Sequence, residues 1–435
     1  MLIFLVISII IICLSYYNFK KTFIFYYSLR MIALSAFCIK YTPPALSMDT
    51  LLNFFFIFEF LRRGYFKDII NHFKNFPLKI YYIISFISIG LSGIFSIVSI
   101  NDFFTTLILQ ITSEYIMFFL FWRIIKKGND MILFIKFSVI ILFISCCMGI
   151  IEFITNNNLM IEGLKNMVDP NLLTGKIYET GERLGLRRVQ GLFVSPNNYI
   201  YGAFIIILLF TINKYTKYKL NNILPLSFFF IALILLANSR TVLFASIIIL
   251  YPVLFSVNTK LGRKFITLGI IIFIVSLPFI SQYAINITSV INSKASASLA
   301  EEGSSLGGRM LQFIGSYELF LKSPIVGNGL GSIEYFLEDD IIRYTILGTE
   351  SIWMKLMIER GLLGIISYII LFYEMQKRYK ILRHKYLKYL TLGYLTANTM
   401  SSMPGFSLSF FFAYTYIIHY FINKKINENR YYYNS

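Results

Sequence analysis

Histidine and cysteine are scarce in this chain, with three and four residues among 435. His72, His384 and His419 are scattered over basic gaps and the end of the last apolar run, which excludes a zinc site. Cys13, Cys38, Cys146 and Cys147 all fall inside apolar runs, so no extracytoplasmic disulfide framework is available and they read as small core residues. The net charge of +18 reads as a signal of membrane topology, not as a nucleic-acid footprint. Internal repeats and a linker to a soluble domain are also missing. Gly327-Asn328-Gly329-Leu330-Gly331 imitates a nucleotide loop but lacks a βαβ context and reads as a tight turn. No metal, cofactor or nucleic acid is expected as a partner.

Apolar sequence is abundant, at 57% of residues. Thirteen runs of helix length follow one another, at roughly 2–17, 22–40, 46–61, 80–98, 103–122, 131–153, 197–212, 223–237, 241–257, 265–283, 350–373, 387–400 and 406–422. A hydrocarbon core about 30 Å thick takes roughly 17–25 apolar residues per helix. These runs are apolar on all sides, unlike the alternating strands of an outer-membrane barrel. The expected fold is an all-α polytopic integral membrane protein with about 13 (12–14) transmembrane helices.

Positive charge sets the orientation, because Lys and Arg stay on the cytoplasmic side. The gaps 18–21, 62–79, 123–130, 213–222, 258–264 and 374–388, with the tail 423–435, hold 25 of the 40 Lys and Arg. The long gaps 154–196 and 284–349 carry only five and four, so they are expected as outward loops. The expected organisation is one membrane domain: helices in 1–153, a first large loop 154–196, helices in 197–283, a second large loop 284–349, helices in 350–422 and a cytoplasmic tail 423–435. The N-terminus is then outside. Its first run has no basic n-region and no small-residue cleavage site, and reads as retained. The cytoplasmic basic gaps favour anionic membrane lipids.

Within the second loop, Ser305 to Lys322 reads as an amphipathic helix, preceded by glycines and ended by Ser323-Pro324. Met310, Leu311, Phe313, Ile314, Tyr317, Leu319, Phe320 and Leu321 give it an apolar side suited to the membrane surface. Polar residues gather at the outer boundary of the later helices. Arg188 to Asn198 leads into the seventh run, and Asn238-Ser239-Arg240-Thr241 forms a tight turn between the eighth and ninth. Gly308-Arg309 opens the loop helix, and Thr349-Glu350-Ser351 through Glu359-Arg360-Gly361 begins the eleventh run.

In this order and topology these motifs resemble the superfamily of O-antigen ligases and Wzy-type polysaccharide polymerases, over roughly residues 180–400. Ligases of that family commonly carry His-Asn nine residues before the Glu of a Glu-x-Gly turn. Nine residues before Glu359 stand Glu350 and Ser351, a carboxylate in place of imidazole, which favours a polymerase. The paired Arg-x10-Gly motifs of some polymerases are absent from both long loops.

The resemblance implies a glycosyltransferase of the bacterial inner membrane with a periplasmic active face. It would join undecaprenyl-diphosphate-linked oligosaccharide repeat units without metal. Arg240, Arg188 and Arg309 would hold the diphosphate, since guanidinium stays charged and presents a planar fork of donors. Glu350 would deprotonate the acceptor hydroxyl. Asn197 would contact sugar hydroxyls or cap the seventh helix. A chain-length regulator is an expected partner, and a monomer is expected to complete the site.

Plainer readings exist for each residue. An arginine at a helix end snorkels to head groups, and a carboxylate such as Glu350 suits a helix N-terminus. Arg30, Glu59, Glu114, Lys136, Glu152, Lys355 and Arg360 lie in or beside apolar runs, where ionisable groups are functional or mutually paired. Glu338-Asp339-Asp340 reads as a solvated loop. The alternatives to a polymerase are an O-antigen ligase transferring to lipid A core, and a polysaccharide flippase or other transporter. A transporter would show matched halves and charges along a central path, which this chain does not.

Overall fold

The computed structural model describes residues 2–32, 38–40, 46–65, 69–158, 182–183, 186–193, 195–215, 223–237, 239–254, 306–339, 342, 346, 349, 351–401 and 408–433. Their regular structure is helical apart from two minimal antiparallel ladders, Cys38–Lys40 with Leu46–Ser47 and Glu182–Arg183 with Leu186–Arg187. The helices are α1 (Leu2–Leu29), α2 (Met48–Arg62), α3 (Ile69–Lys74), α4 (Lys79–Ile94), α5 (Ile100–Ile124), α6 (Gly128–Thr155) and α7 (Ile200–Tyr215). They continue as α8 (Ile223–Leu236), α9 (Arg240–Leu254), α10 (Leu306–Lys322), α11 (Ser332–Leu337), α12 (Ile352–Tyr379), α13 (Lys385–Met400) and α14 (Leu408–Tyr433). Among the described residues five stretches are long and apolar enough to cross a membrane: Val6–Leu29, Ile100–Ile124, Gly128–Thr155, Pro196–Tyr215 and Ile352–Tyr379. The expected run 265–283 lies outside the described residues.

Side chains are distributed for lipid. On α4, Ser85, Ser88 and Ser92 are buried while Ile80, Ile83, Ile87 and Ile94 are exposed, the reverse of a soluble helix. Helix α7, buried from Ile200 to Ile212, is apolar all round and forms the centre, packing against α6, α8, α9, α13 and α14.

Contacts define the two ends of this bundle. At one end Lys20 pairs with Asp130 and Arg63 donates to the Ser15 carbonyl. Tyr416 donates to the Ile125 carbonyl, Lys425 donates to the Lys214 carbonyl, and Glu374 accepts from the backbone of Ile80 and Tyr81. His384 lies at this end too, its imidazole held below the ordinary range by burial and then by Arg383 and Lys380. The basic gaps therefore meet. At the opposite ends of α4, α6, α7, α12 and α13 lie Ile97, Asn158, Asn197, Trp353 and Met400, and this is where the outward motifs gather.

One expected span is corrected. Runs 2–17 and 22–40 meet in α1 as two helical segments parted at Asn18 (φ −147, ψ 79), whose side chain accepts from the Lys21 N–H and restarts the helix. The second run then stops at Leu29 instead of reaching 40. Arg30 is the cause: it turns away to pair with Asp49 (3.0 Å) and to donate to the Ser113 carbonyl (2.6 Å). Asp49 also accepts from Tyr26 and Asn53. The receiving carbonyl sits in a π-helical turn, Ile111–Ile116, inside α5. At 1.5 Å per residue, Ser113 is about 18 Å from Ile125 and about 20 Å from Ile100, so this pair is near mid-bundle.

Helix α12 is also broken. Gly361 has φ +60 and ψ −151, a region only glycine occupies freely. Loop 324–331 crosses the break and takes up the freed backbone groups. Leu362 and Leu363 donate to the Pro324 and Ile325 carbonyls, Asn328 N–H donates to Ile358, and Gly329 N–H donates to Glu359. The Asn328 amide adds bonds to the Leu319 and Ile358 carbonyls. The glycines expected as a turn back to α12 thus form a splint across its break. A Cβ on Gly361 would stand 2.7 Å from the backbone of Ile325. Gly361→Ala should cost about 3 kcal/mol or more and lower the thermal midpoint of the purified protein. An unchanged midpoint would show that the splint does not matter to stability.

Candidate functional site

Arg188 is placed by α6. The buried Glu152 carboxylate, near the end of that helix, accepts from the N–H groups of Gln190 (3.1 Å) and Gly191 (2.7 Å) and from the Asn158 amide (3.0 Å). Gly191, at φ +60, lies so close to the Ser145 carbonyl that a Cβ would stand 2.5 Å from it. Ser145 also accepts from the Leu192 N–H. Segment 188–193 is thereby fixed to the bundle, and the half-buried Arg188 with it. Glu152→Ala leaves two buried N–H groups without an acceptor, a local loss of about 3 kcal/mol. Amide hydrogen exchange at 190–192 should accelerate on that substitution. Equal protection in both proteins would contradict this role for Glu152.

The other motifs converge on three consecutive residues, Thr399, Met400 and Ser401. Asn197 lies in a 3-10 turn, Pro196–Tyr199, capped by Ser195. Its amide donates to the Ser401 hydroxyl (3.2 Å), and its carbonyl oxygen accepts from the Ser239 hydroxyl (2.5 Å). Ser239 immediately precedes Arg240, which opens α9 and is half-buried. From α10, Arg309 donates to the Met400 carbonyl (3.2 Å). From α12, the Trp353 indole donates to the Thr399 hydroxyl (3.1 Å). Asn197, Arg240 and Arg309, far apart in sequence, therefore share one neighbourhood. Arg188 is at the same end but is tied to α6.

Glu350 lies outside the described residues. Its neighbours Thr349 and Ser351 are buried, and Ser351 stands at the N-terminal boundary of α12, about three turns before the splinted break. The break places Glu359 and Arg360 inward: Glu359 accepts from the Gly331 N–H and faces Lys355, and Arg360 reaches the Tyr115 hydroxyl. Among the described residues no three His, Cys, Asp or Glu side chains come together as metal ligands would.

Residues 225–369 match a family model, Wzy_C, described as O-antigen ligase. The match supports the resemblance to the O-antigen ligase and Wzy-type superfamily over that part of the chain. No curated protein and no solved structure matches the chain. The matched segment holds nearly all of α8, α9 to α11 and α12 as far as Ile369, and with them Arg240, Arg309 and Glu350. Asn197 and the C-terminal end of α13, Thr399–Ser401, which binds it, lie on either side of the segment. Sequence reasoning missed that helix end. Its signal is a polar run, Asn398 to Ser402, closing an apolar helix before Pro404-Gly405.

Proposed function

We propose that this protein is a polysaccharide polymerase. It joins undecaprenyl-diphosphate-linked oligosaccharide repeat units and releases undecaprenyl diphosphate. The observation carrying this reading is the meeting of Asn197 and Arg309 around Thr399–Ser401, with Ser239, next to Arg240, bonded to Asn197, at the end of the bundle opposite its basic gaps. The positive-inside bias makes the basic end cytoplasmic and the site periplasmic, in the bacterial inner membrane.

The chemistry follows from the residue types. The bond between the anomeric carbon and the diphosphate oxygen breaks, and negative charge grows on the leaving group. Arg240 and Arg309 neutralise that charge with fixed donors that need no reorganisation. Arg188 adds a contact from the Glu152-anchored segment. The acceptor hydroxyl attacks the anomeric carbon and gives its proton to Glu350, so the configuration inverts in one displacement. Asn197 orients a sugar hydroxyl from a preset turn. One chain suffices, and a chain-length regulator would act from outside the site.

The second reading is an O-antigen ligase, favoured by the description of the matched family. The deciding experiment is a reaction of detergent-purified protein with a synthetic undecaprenyl-diphosphate repeat unit, resolved on a gel. A ladder with steps of one repeat unit supports the polymerase. Transfer only after lipid A core is added makes it a ligase, and no product in either case leaves a transporter.

A further inference from the structure

Helix α10 is inverted relative to a soluble helix. Its outward side carries Met310, Leu311, Phe313, Ile314, Tyr317 and Leu321, all exposed, a surface that suits lipid. Its inward side carries Gln312 and Ser316, 1% and 0% exposed. Neither amide atom of Gln312 nor the Ser316 hydroxyl has a hydrogen-bond partner. Buried polar groups are nearly always satisfied, because an unmade bond costs the full desolvation of the group. Three unmet atoms on one face of one helix, two of them the amide pair of Gln312, leave hydrogen-bonding capacity that a polar ligand can fill.

That face begins at the site. Arg309, Gln312 and Ser316 are spaced i, i+3 and i+7, so they share one side of α10. With a rise of 1.5 Å per residue, Gln312 lies about 4.5 Å and Ser316 about 10 Å beyond Arg309. The ends of this stretch are held, by Arg309 on Met400 and by Asn328 on Leu319. Between those anchors, among the described residues, no side-chain hydrogen bond joins α10 to α12, against which it packs. The middle of α10 can therefore part from α12 by losing packing alone.

We propose that Gln312 and Ser316 form a glycan-binding strip, which takes hydroxyl groups of the sugars attached to the diphosphate at Arg309. The inference rests on the proposed function and adds subsites to it. An amide offers two donors and an acceptor, and a serine hydroxyl one donor and two acceptor lone pairs, which matches the paired donor and acceptor character of sugar hydroxyls. The first sugar meets Gln312 and the next meets Ser316.

The test compares wild type, Gln312→Leu and Ser316→Ala in detergent. The probes are undecaprenyl diphosphate and the lipid-linked oligosaccharide extracted from cells that lack this gene. Gln312→Leu should raise the thermal midpoint, because it removes unmet polar atoms, yet weaken binding of the lipid-linked oligosaccharide about tenfold. Ser316→Ala should weaken it less, and neither variant should alter binding of undecaprenyl diphosphate. Wild-type affinity for the oligosaccharide in both variants would overturn the strip and leave the proposed function standing. Ser316→Ala decides alone if Gln312→Leu does not fold. A wild type that binds neither probe would overturn the proposed function, and the strip with it.

Discussion

Arg240→Ala and Glu350→Gln should each insert and accumulate like wild type and yet form no polymer. Arg240 opens α9 directly after the Ser239–Asn197 contact, beside the proposed site. Loss of one preorganised donor to developing charge typically costs 10²–10³ in rate, which would empty a product ladder. Arg240→Lys should recover part of the activity, since it keeps the charge but not the planar fork. Glu350→Gln keeps size and polarity and removes only the base. The two measurements are membrane accumulation and the ladder formed from a synthetic repeat unit. Wild-type ladders from both variants would sink the site assignment while leaving the superfamily intact.

The largest expected loss of stability lies elsewhere, at Arg30. Arg30→Met leaves Asp49 in the bundle without its cation and the Ser113 carbonyl without its donor. Removing one partner of a buried ion pair costs about 3–5 kcal/mol, because the remaining charge stays desolvated. The thermal midpoint in detergent should fall accordingly. Asp49→Leu added to Arg30→Met should recover a good part of the loss, because it removes the stranded charge as well. An Arg30→Met protein as stable as wild type would show that the pair is solvated or dispensable.

Apolar length alone made α4, α6, α7, α12 and α13 legible, because a buried or lipid-facing helix needs nothing but an unbroken apolar run. The motifs around Arg240 and Arg309 were legible as well, since charge at the end of such a run is conspicuous. Long-range partners were not. The apolar stretch after Arg30 hides the end of α1, which follows from a pairing with Asp49 that no local pattern records. Glu359-Arg360-Gly361 is visible as a sequence, but its break exists only because loop 324–331 supplies the missing bonds. Glu152 looked like any ionisable group in a span, although its carboxylate fixes the Arg188 segment. Thr399 to Ser401 carry no recognisable motif, and their importance comes from three helices that arrive from far along the chain.

That last arrangement also bears on how the protein is made. Ser401 lies 204 residues after Asn197, and Met400 lies 91 after Arg309. Helices enter the bilayer in the order in which the ribosome delivers them. Through most of synthesis, the Asn197 amide and the Arg309 guanidinium therefore wait for partners that have not yet been translated. A chain terminated anywhere before residue 400 would expose these polar groups in an incomplete bundle, the sort of defect that membrane proteases remove. Premature stop codons late in the gene should thus behave as complete losses, even when they fall beyond residue 369, where the family match ends.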